Sequence, residues 1–217
     1  MTTRQEVNQL CRRRLGDQRA PFTFSDLQIN QWIHDAIAEY SQLFPRTLTI
    51  EFELQSGQTR VDLSLLSGFQ TVLQVEYPLG MQPQRYLQRC SHKKPQFFFG
   101  RPTYDLDWSA TEGWQLVLGL TPQADERLGL TYQADHLYPA EENTLLTIPD
   151  RHLELVVLFV RMAALQEQLA ELGAQSFPPA SLLSVRAANA ARARQEYLEA
   201  LEKARKQTGE SALIVGW

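Results

Sequence analysis

The spacing of apolar residues changes twice along this chain, and these changes limit the folds that are open to it. Apolar residues recur every three or four positions, the helical spacing, across roughly 3–44 and 150–208. Between these stretches they alternate with polar residues, as in half-buried β-strands. Helices at both ends and strands between them predict an α+β fold rather than a series of βαβ units.

Two helices are predicted before the first strand, and each begins at a capping box. Thr3 and Glu6 form the first box, and Ser25 and Gln28 form the second. Three consecutive arginines, Arg12–Arg14, fall in the last turn of the first helix, where positive charge offsets the negative end of the helix dipole. This structural interpretation is favoured over binding of nucleic acid.

The middle of the chain contains seven short alternating segments separated by turns. The fifth and sixth of them flank Ser-Ala-Thr-Glu-Gly, which is a hairpin signal. Short strands with frequent turns predict an antiparallel sandwich or barrel. The predicted strands are Leu48–Leu54, Val61–Leu65, Thr71–Tyr77, Arg85–Gln88, Thr103–Trp108, Trp114–Leu120 and Leu128–Ala134.

Two further helices are predicted after the strands. The segment Leu153–Leu165 is apolar on nearly every side, which predicts a helix buried on several faces. An alanine-rich helix follows the break at Pro178-Pro179, with Ser181 as its candidate cap and Thr208-Gly209 as its end. An uncharged apolar tail, Ser211–Trp217, follows this helix.

These patterns predict three parts. Residues 1–46 and 149–208 form one helical domain, a bundle. Residues 47–148 form an inserted antiparallel β-rich module, and residues 209–217 form the C-terminal arm.

Composition excludes several classes of protein. The net charge of −4 argues against tight non-specific binding to DNA. Cys11 and Cys90 are too few for a disulfide framework, and both are expected to be reduced. No apolar run reaches the length that a membrane span needs, and the first residues lack the core of a signal peptide. We therefore expect a chain that starts in the cytoplasm and has no membrane partner.

Charge is unevenly distributed along the chain. The segment from Leu79 to Arg101 has five basic residues and no acidic one, whereas Thr121–Glu154 has seven acidic residues and two basic ones. Such segregation could mediate contacts between copies, or it could mark two solvated loops. Candidate contact residues in the basic segment are Arg85, Arg89, Lys93, Lys94, Phe97, Phe98, Phe99 and Arg101. The same bases and aromatics also allow a hypothesis of nucleic-acid binding.

Enzyme signatures are weak throughout. The chain has no glycine-rich phosphate loop, no Gly-x-Ser-x-Gly elbow and no His-Glu-x-x-His sequence. Cys90 and His92 could form a thiol–imidazole pair, but that pair needs a third, orienting group. Asp105 and Asp107 are expected to lie on a solvated strand face. We predict a protein that is not an enzyme and has no catalytic, cofactor-binding or metal-binding residues.

Several segments, taken in order, resemble a known family. They are Cys11–Asp17 closing a short helix, Phe24–Ile33 opening the next, Gly100–Tyr104 and Leu118–Pro122 in the strand-rich middle, and Leu145–Asp150 before a buried helix. This ordered set covers nearly the whole chain and resembles the head-to-tail adaptor, or connector, proteins of tailed bacteriophages. Those proteins form the ring directly below the portal.

The resemblance implies a structural virion protein of the neck that is assembled in the host cytoplasm. Its partners would be the portal protein, tail or nozzle proteins, and further copies of itself in a ring, a dodecamer in the family. The ring would extend the channel for genomic DNA without binding DNA specifically. The resemblance also implies an extended C-terminal arm that docks on the portal, here with the residues Leu213, Ile214, Val215 and Trp217.

Three alternatives stay open. The arm could fold back onto its own subunit. The chain could be another neck or tail-completion protein. It could also be a nucleic-acid-binding protein that uses residues 85–101.

Overall fold

The computed structural model describes residues 2–98, 102–124, 126–177 and 179–214, and for residues 209–214 it describes the backbone alone. The chain divides into two compact units. The helical unit comprises Met1–Leu43 and His136–Trp217, and the β unit comprises Phe44–Asp135. The α+β class is confirmed, but the β unit ends at Asp135 and not at the predicted residue 148.

The helical unit has four α-helices within the described residues: α1 (Arg4–Leu15), α2 (Asp26–Leu43), α3 (Leu153–Gly173) and α4 (Ala180–Ile214). Both predicted capping boxes are present. Thr3 and Glu6 satisfy each other's backbone N–H groups at the start of α1, and Ser25 and Gln28 do the same before α2. Gly16 ends α1 in the left-handed conformation, with φ of 72°, which glycine adopts without strain.

The centre of the helical unit is α3, which packs against α1, α2 and α4. Its buried residues occur on more than one face, as the sequence predicts. They are Leu153, Leu155, Val156, Leu158, Val160, Ala164 and Leu172. Among the residues that the structure describes, no helix combines the length and the apolar composition needed to cross a membrane.

Residues 136–148 belong with the helices because backbone hydrogen bonds attach them to the N-terminal segment. The Leu146 N–H donates to the Thr2 carbonyl at 2.9 Å, and the Gln5 N–H donates to the Glu142 carbonyl at 3.0 Å. At the other end of the segment, the His136 N–H donates to Ser41 Oγ of α2 at 2.9 Å. The paired residues are more than 90 positions apart, so no local pattern in the sequence could predict that this segment belongs to the helical unit.

Helix α4 differs from the prediction at both of its ends. It begins at Ala180, so Ser181 lies inside the helix and is not its cap. It continues to Ile214, through the predicted end at Thr208-Gly209. A single glycine costs about 1 kcal/mol in a helix, which favourable neighbours can offset. The predicted extended conformation of the arm is therefore wrong up to Ile214, and Val215–Trp217 lie outside the described residues.

The described residues of the β unit form two sheets. Its strands are β1 (Arg46–Glu53), β2 (Arg60–Asp62), β3 (Phe69–Glu76), β4 (Gln88–Arg89), β5 (Thr103–Ser109), β6 (Gly113–Leu118) and β7 (Arg127–Ala134). One sheet has the order β1-β7-β3 and the other the order β2-β6-β5-β4. The predicted β5–β6 hairpin is confirmed, with Trp108 opposite Trp114. The short β4–β5 pair is parallel, unlike the antiparallel pairs of the rest.

Side chains from both sheets form one hydrophobic core. Leu116, Leu128 and Leu130 are fully buried in it. Leu48, Ile50 and Phe52 of β1 pack against this core but are only partly buried, because β1 is an edge strand.

Candidate interaction surfaces

The basic segment is held along one side of the β unit by backbone hydrogen bonds to both sheets. The Leu87 N–H donates to the Val75 carbonyl of β3 at 2.8 Å. The Cys90 N–H donates to the Tyr104 carbonyl of β5 at 2.9 Å. The segment therefore bridges the edges of two sheets, and its backbone is fixed while the side chains of Arg85, Arg89, Lys93 and Lys94 face solvent.

Four bases of this segment are exposed and unpaired within the described part of the chain. Arg85, Arg89, Lys93 and Lys94 are exposed, and none of them forms an ion pair with another described residue. Arg101 lies outside the described residues. These four side chains form a positive surface, which we call the basic patch, and an acidic partner could neutralise it.

His92 anchors the loop that carries the two lysines. Asp105 Oδ2 lies 2.8 Å from the His92 N–H and 2.7 Å from His92 Nδ1, and Asp105 Oδ1 accepts the Leu106 N–H at 2.9 Å. Burial alone would raise the pKa of Asp105, but the hydrogen bonds from His92 and Leu106 outweigh it and hold that pKa below its ordinary value. The expectation of a solvated Asp105 is wrong, since the residue is 8% exposed.

The three phenylalanines have different environments. Phe97 is fully buried, and its carbonyl accepts the Thr103 hydroxyl at 2.9 Å. Phe98 is 65% exposed, and Phe99 lies outside the described residues. Tyr86 is also exposed, at 45%. Among the described residues, the exposed aromatic rings beside the basic patch are therefore those of Tyr86 and Phe98, and Phe97 contributes none.

A groove of about 480 Å³ opens beside the basic patch, within the β unit. Its walls are mostly apolar, and Arg85 supplies a charge at its side. Such a groove suits an apolar side chain next to an acidic one. The lining residues are Tyr77, Pro78, Arg85, Tyr86, Leu87, Gln88, Pro102 and Leu120.

The helical unit carries exposed acidic residues. Glu141, Glu142 and Glu154 are exposed. Glu142 makes a loose ion pair, with its Oε1 atom 3.7 Å from an Arg4 guanidinium nitrogen while its side chain stays 65% exposed. These three acids and the basic patch thus lie on the surfaces of different units.

A second groove, of about 450 Å³, lies between α1 and α3. Its floor is apolar, and Arg13, Arg14 and Glu154 are the charged residues around it. The apolar residues are Leu10, Leu153, Val157 and Leu158.

Helix α4 is long, and over residues 180–208, where its side chains are described, a narrow stripe is buried. Ala190, Ala193, Tyr197, Leu201 and Ala204 form this stripe. The apolar side chains of Leu182, Val185 and Leu198 remain between 42% and 56% exposed. Leu213 and Ile214 of the predicted docking arm continue the backbone of this helix, and Val215 and Trp217 lie outside the described residues.

Two histidines of the helical unit, His136 and His152, are brought together with a tyrosine in a way that the sequence did not reveal. Tyr40 of α2 lies between His136 and His152, with ring-centre distances of 5.0 and 5.7 Å. Tyr40 Oη is 2.5 Å from His152 Nδ1. All three residues are buried. Tyr40 is more than 90 residues from either histidine along the chain, so no spacing rule could have found this contact.

Within the described part of the chain, no group of three or more His, Cys, Asp or Glu side chains is placed to hold a metal ion. Cys11 and Cys90 are free, as the sequence predicts. Burial raises the pKa of the Cys11 thiol to about 12, so it stays protonated at neutral pH. The Cys90 thiol contacts the Ser91 carbonyl at 3.9 Å, and His92 is bound to Asp105.

Comparison with known proteins identifies the family. No curated protein matches the chain significantly. The profile of the SU10 adaptor protein family matches residues 2–216, which is nearly the full length and includes both units. Because the match extends over both the helical and the β unit, the chain belongs to the SU10 adaptor protein family and is a bacteriophage head-to-tail adaptor, a structural protein of the virion.

Proposed function

We propose that this adaptor docks on the portal, forms a homo-oligomeric ring that extends the DNA channel, and offers the surface on which tail or nozzle proteins assemble. The observation that carries this proposal is the family match over residues 2–216. The chain then works by assembly and not by catalysis, in the host cytoplasm first and in the neck of the virion afterwards. A dodecameric ring agrees with the family resemblance.

Charge on the surface supports a ring of head-to-tail contacts. In such a ring, each copy presents one surface to one neighbour and a different surface to the other. The basic patch on the β unit and the exposed acids Glu141 and Glu142 on the helical unit have opposite signs. We propose that these two surfaces meet between adjacent copies, with Phe98 and Tyr86 at the margin of the contact.

Helix α4 supports a docking role for the C-terminal residues. Leu213, Ile214, Val215 and Trp217 are apolar, and Leu213 and Ile214 lie at the end of a helix of 35 residues. Covering apolar side chains with a partner surface lowers the free energy of the complex. We propose that they contact the portal, either as a helical end or after unwinding into an arm.

The net charge of −4 suits the proposed channel. Strong positive charge on the wall of a ring would slow DNA that slides through it, because each contact between a basic side chain and a phosphate adds affinity.

Portal binding is tested by deleting Ser211–Trp217. Purified portal is mixed with the full-length or the truncated adaptor, and complexes are measured by sedimentation and negative-stain imaging. The truncated protein is expected to keep its helical circular dichroism but to leave portals bare. The control replaces Leu182 and Val185, exposed at the other end of α4, by serine, and should leave binding unchanged. Full affinity of the truncated protein would contradict the docking role.

The ring contact is tested by charge reversal. Lys93→Glu with Lys94→Glu should weaken ring formation on the portal, because like charges would then face each other. Adding Glu141→Lys and Glu142→Lys should restore it. Lys203→Glu with Lys206→Glu, on the exposed side of α4, serves as the control and should change little. Rings that form equally well with reversed charge would show that this patch is not the contact.

A second candidate function is nucleic-acid binding through the basic patch. It is favoured by four unpaired bases beside the exposed rings of Tyr86 and Phe98, although the burial of Phe97 removes one stacking partner. A DNA-binding titration at several salt concentrations separates the two functions. Affinity that falls steeply with salt and is lost in the Lys93→Glu, Lys94→Glu variant would favour this second function.

A further inference from the structure

Strand β1 presents a long open edge. It pairs with β7 on one side only, over all eight residues from Arg46 to Glu53. Its burial alternates strictly, so that Thr47, Thr49, Glu51 and Glu53 are exposed while the residues between them are partly buried. Open strand edges of this length invite pairing with another strand unless they are blocked.

The pairing with β7 determines which backbone groups face outward. The Leu54 N–H donates to the Glu126 carbonyl at 2.9 Å, one step beyond the pair of Glu53 with Arg127. Hydrogen-bonded pairs alternate along an antiparallel ladder, so the even-numbered residues of β1 bond to β7. The odd-numbered residues direct their N–H and C=O groups away from β7. In the described part of the chain, none of these outward groups bonds to another backbone group.

The side chains of β1 are also incompletely covered. Leu48, Ile50 and Phe52 pack against the sandwich core but stay partly exposed at its rim. One more strand beside β1 would lie about 5 Å away and would cover these three side chains. It would also satisfy the outward N–H and C=O groups of the odd-numbered residues.

We propose that this edge pairs with β1 of a second copy of the chain, in antiparallel orientation about a two-fold axis at Ile50. The outward N–H and C=O groups belong to odd-numbered residues in both copies. An odd-numbered residue of one copy must therefore lie opposite an odd-numbered residue of the other for these groups to bond. With Ile50 opposite Ile50, Thr49 faces Glu51 and Thr47 faces Glu53, and Leu48 faces Phe52. Apolar residues then meet apolar residues, and no two like charges are directly opposed. The result is a continuous six-stranded sheet.

The other free edges of the β unit fit less well. Strand β2 has three residues and β4 has two, which is too short to match the eight residues of β1. Strand β3 also has eight residues, but backbone hydrogen bonds of Leu87 to Val75 and of Tyr77 to Arg85 already occupy the C-terminal part of its outer edge. Pairing of β1 with itself is isologous, whereas ring contacts are heterologous. The proposal therefore does not depend on the proposed ring, and either can fail alone.

Two substitutions at one position test the pairing in the full-length protein. In the pair of copies, residue 49 of each lies opposite Glu51 of the other. Thr49→Glu should raise the dissociation constant of the dimer roughly tenfold, and Thr49→Lys should lower it by a similar factor. Both variants lose the same 3.2 Å contact between the Thr49 and Thr131 hydroxyls, so they differ from each other in the charge of the new side chain. Thr71→Glu on β3 at the far edge of the sheet is the control.

Sedimentation equilibrium over a range of concentrations gives the dissociation constants. Hydrogen exchange gives a second readout, since the amides of Thr47, Thr49, Glu51 and Glu53 should become protected as concentration rises. The amides of Leu48, Ile50 and Phe52 should be protected at every concentration. A chain that stays monomeric at all concentrations, or equal shifts for Thr49→Glu and Thr49→Lys, would overturn the proposal. Ring formation on the portal should be unaffected by either variant.

Discussion

The guanidinium of Arg12 lies 2.8 Å from the carboxylate of Asp17, and both side chains are buried where α1 turns toward α2. Arg12 also donates to the Phe24 carbonyl, and its second nitrogen lies 2.6 Å from Asp26. Asp17 in turn accepts the Thr23 N–H at 2.7 Å. One arginine of the basic triplet, Arg12, is therefore a structural anchor of the helical unit, which supports the structural interpretation for this residue.

Replacing Arg12 by methionine should destabilise the helical unit by about 3–5 kcal/mol, because the Asp17 carboxylate would stay buried without its cation. Urea unfolding followed by circular dichroism at 222 nm measures this. Arg13→Met is the matched control and should change the free energy of unfolding by less than about 0.5 kcal/mol, since Arg13 is exposed. Equal stability of the two variants would contradict the anchoring role.

The stability of the helical unit should fall as the pH drops below about 6.5. Burial, and secondarily the charge of Arg151, lowers the pKa of His152 from 6.5. Below this pH the unfolded chain binds a proton at His152 more readily than the folded chain does. The contribution of neutral His152 to the free energy of unfolding is therefore complete above pH 6.5 and is lost on acidification. His152→Asn keeps an acceptor for Tyr40 and should reduce the slope between pH 6.5 and 5.

Urea unfolding at pH 5, 6, 7 and 8 measures that slope. The slope from one histidine is at most about 1.4 kcal/mol per pH unit. His34→Asn, whose side chain is 55% exposed, should leave the slope as it is in the wild type. An unchanged slope in His152→Asn would show that other groups carry the acid sensitivity.

Gly119→Ala should destabilise the β unit by about 3 kcal/mol. A Cβ atom at residue 119 would overlap Thr103 Oγ1 and the Phe97 carbonyl oxygen, which are hydrogen-bonded to each other. The loop that carries Lys93 and Lys94 would lose that attachment. Tryptophan fluorescence during urea unfolding reports the change.

Gly173→Ala is the control for this substitution. A Cβ there meets no atom within 4 Å at the end of α3, so the stability should stay equal or rise by up to about 1 kcal/mol. A Gly119→Ala variant as stable as the wild type would mean that the loop can move away without loss.

Tyr197→Phe should weaken the attachment of α4 by about 1–2 kcal/mol. The Tyr197 hydroxyl donates to Glu39 of α2 at 2.6 Å, and Phe159 of α3 packs against its ring at 5.6 Å. Only the hydrogen bond is lost in this variant, so the comparison isolates it. Tyr86→Phe removes an exposed hydroxyl that donates to Gln84 and should be neutral. Urea unfolding followed by circular dichroism at 222 nm measures both variants. Equal stability of Tyr197→Phe and Tyr86→Phe would contradict the prediction.

Part of the interaction surface could be predicted from residue type alone. The sequence located the basic segment, and the structure shows that Arg85, Arg89, Lys93 and Lys94 are exposed. It could not separate Phe97 from Phe98, because the two are neighbours in a loop without a repeating pattern. The carbonyl of Phe97 is held by Thr103 and its ring is buried, whereas the Phe98 ring is 65% exposed.

The sequence by itself determined what depends on neighbours along the chain. The change of apolar spacing predicted the order of helices and strands, and the boxes at Thr3 and Ser25 predicted two helix starts, since residues three or four apart meet within one turn. The order of segments was enough to suggest the family.

Only the tertiary structure decided which distant residues meet. It moved residues 136–148 into the helical unit, buried Asp105 against His92, placed Tyr40 between two histidines and left one edge of β1 open. Each of these depends on contacts between segments that are far apart in the chain. Such contacts are selected by the packing of the whole unit, because burying a charged or polar group is favourable only where the fold supplies its partner.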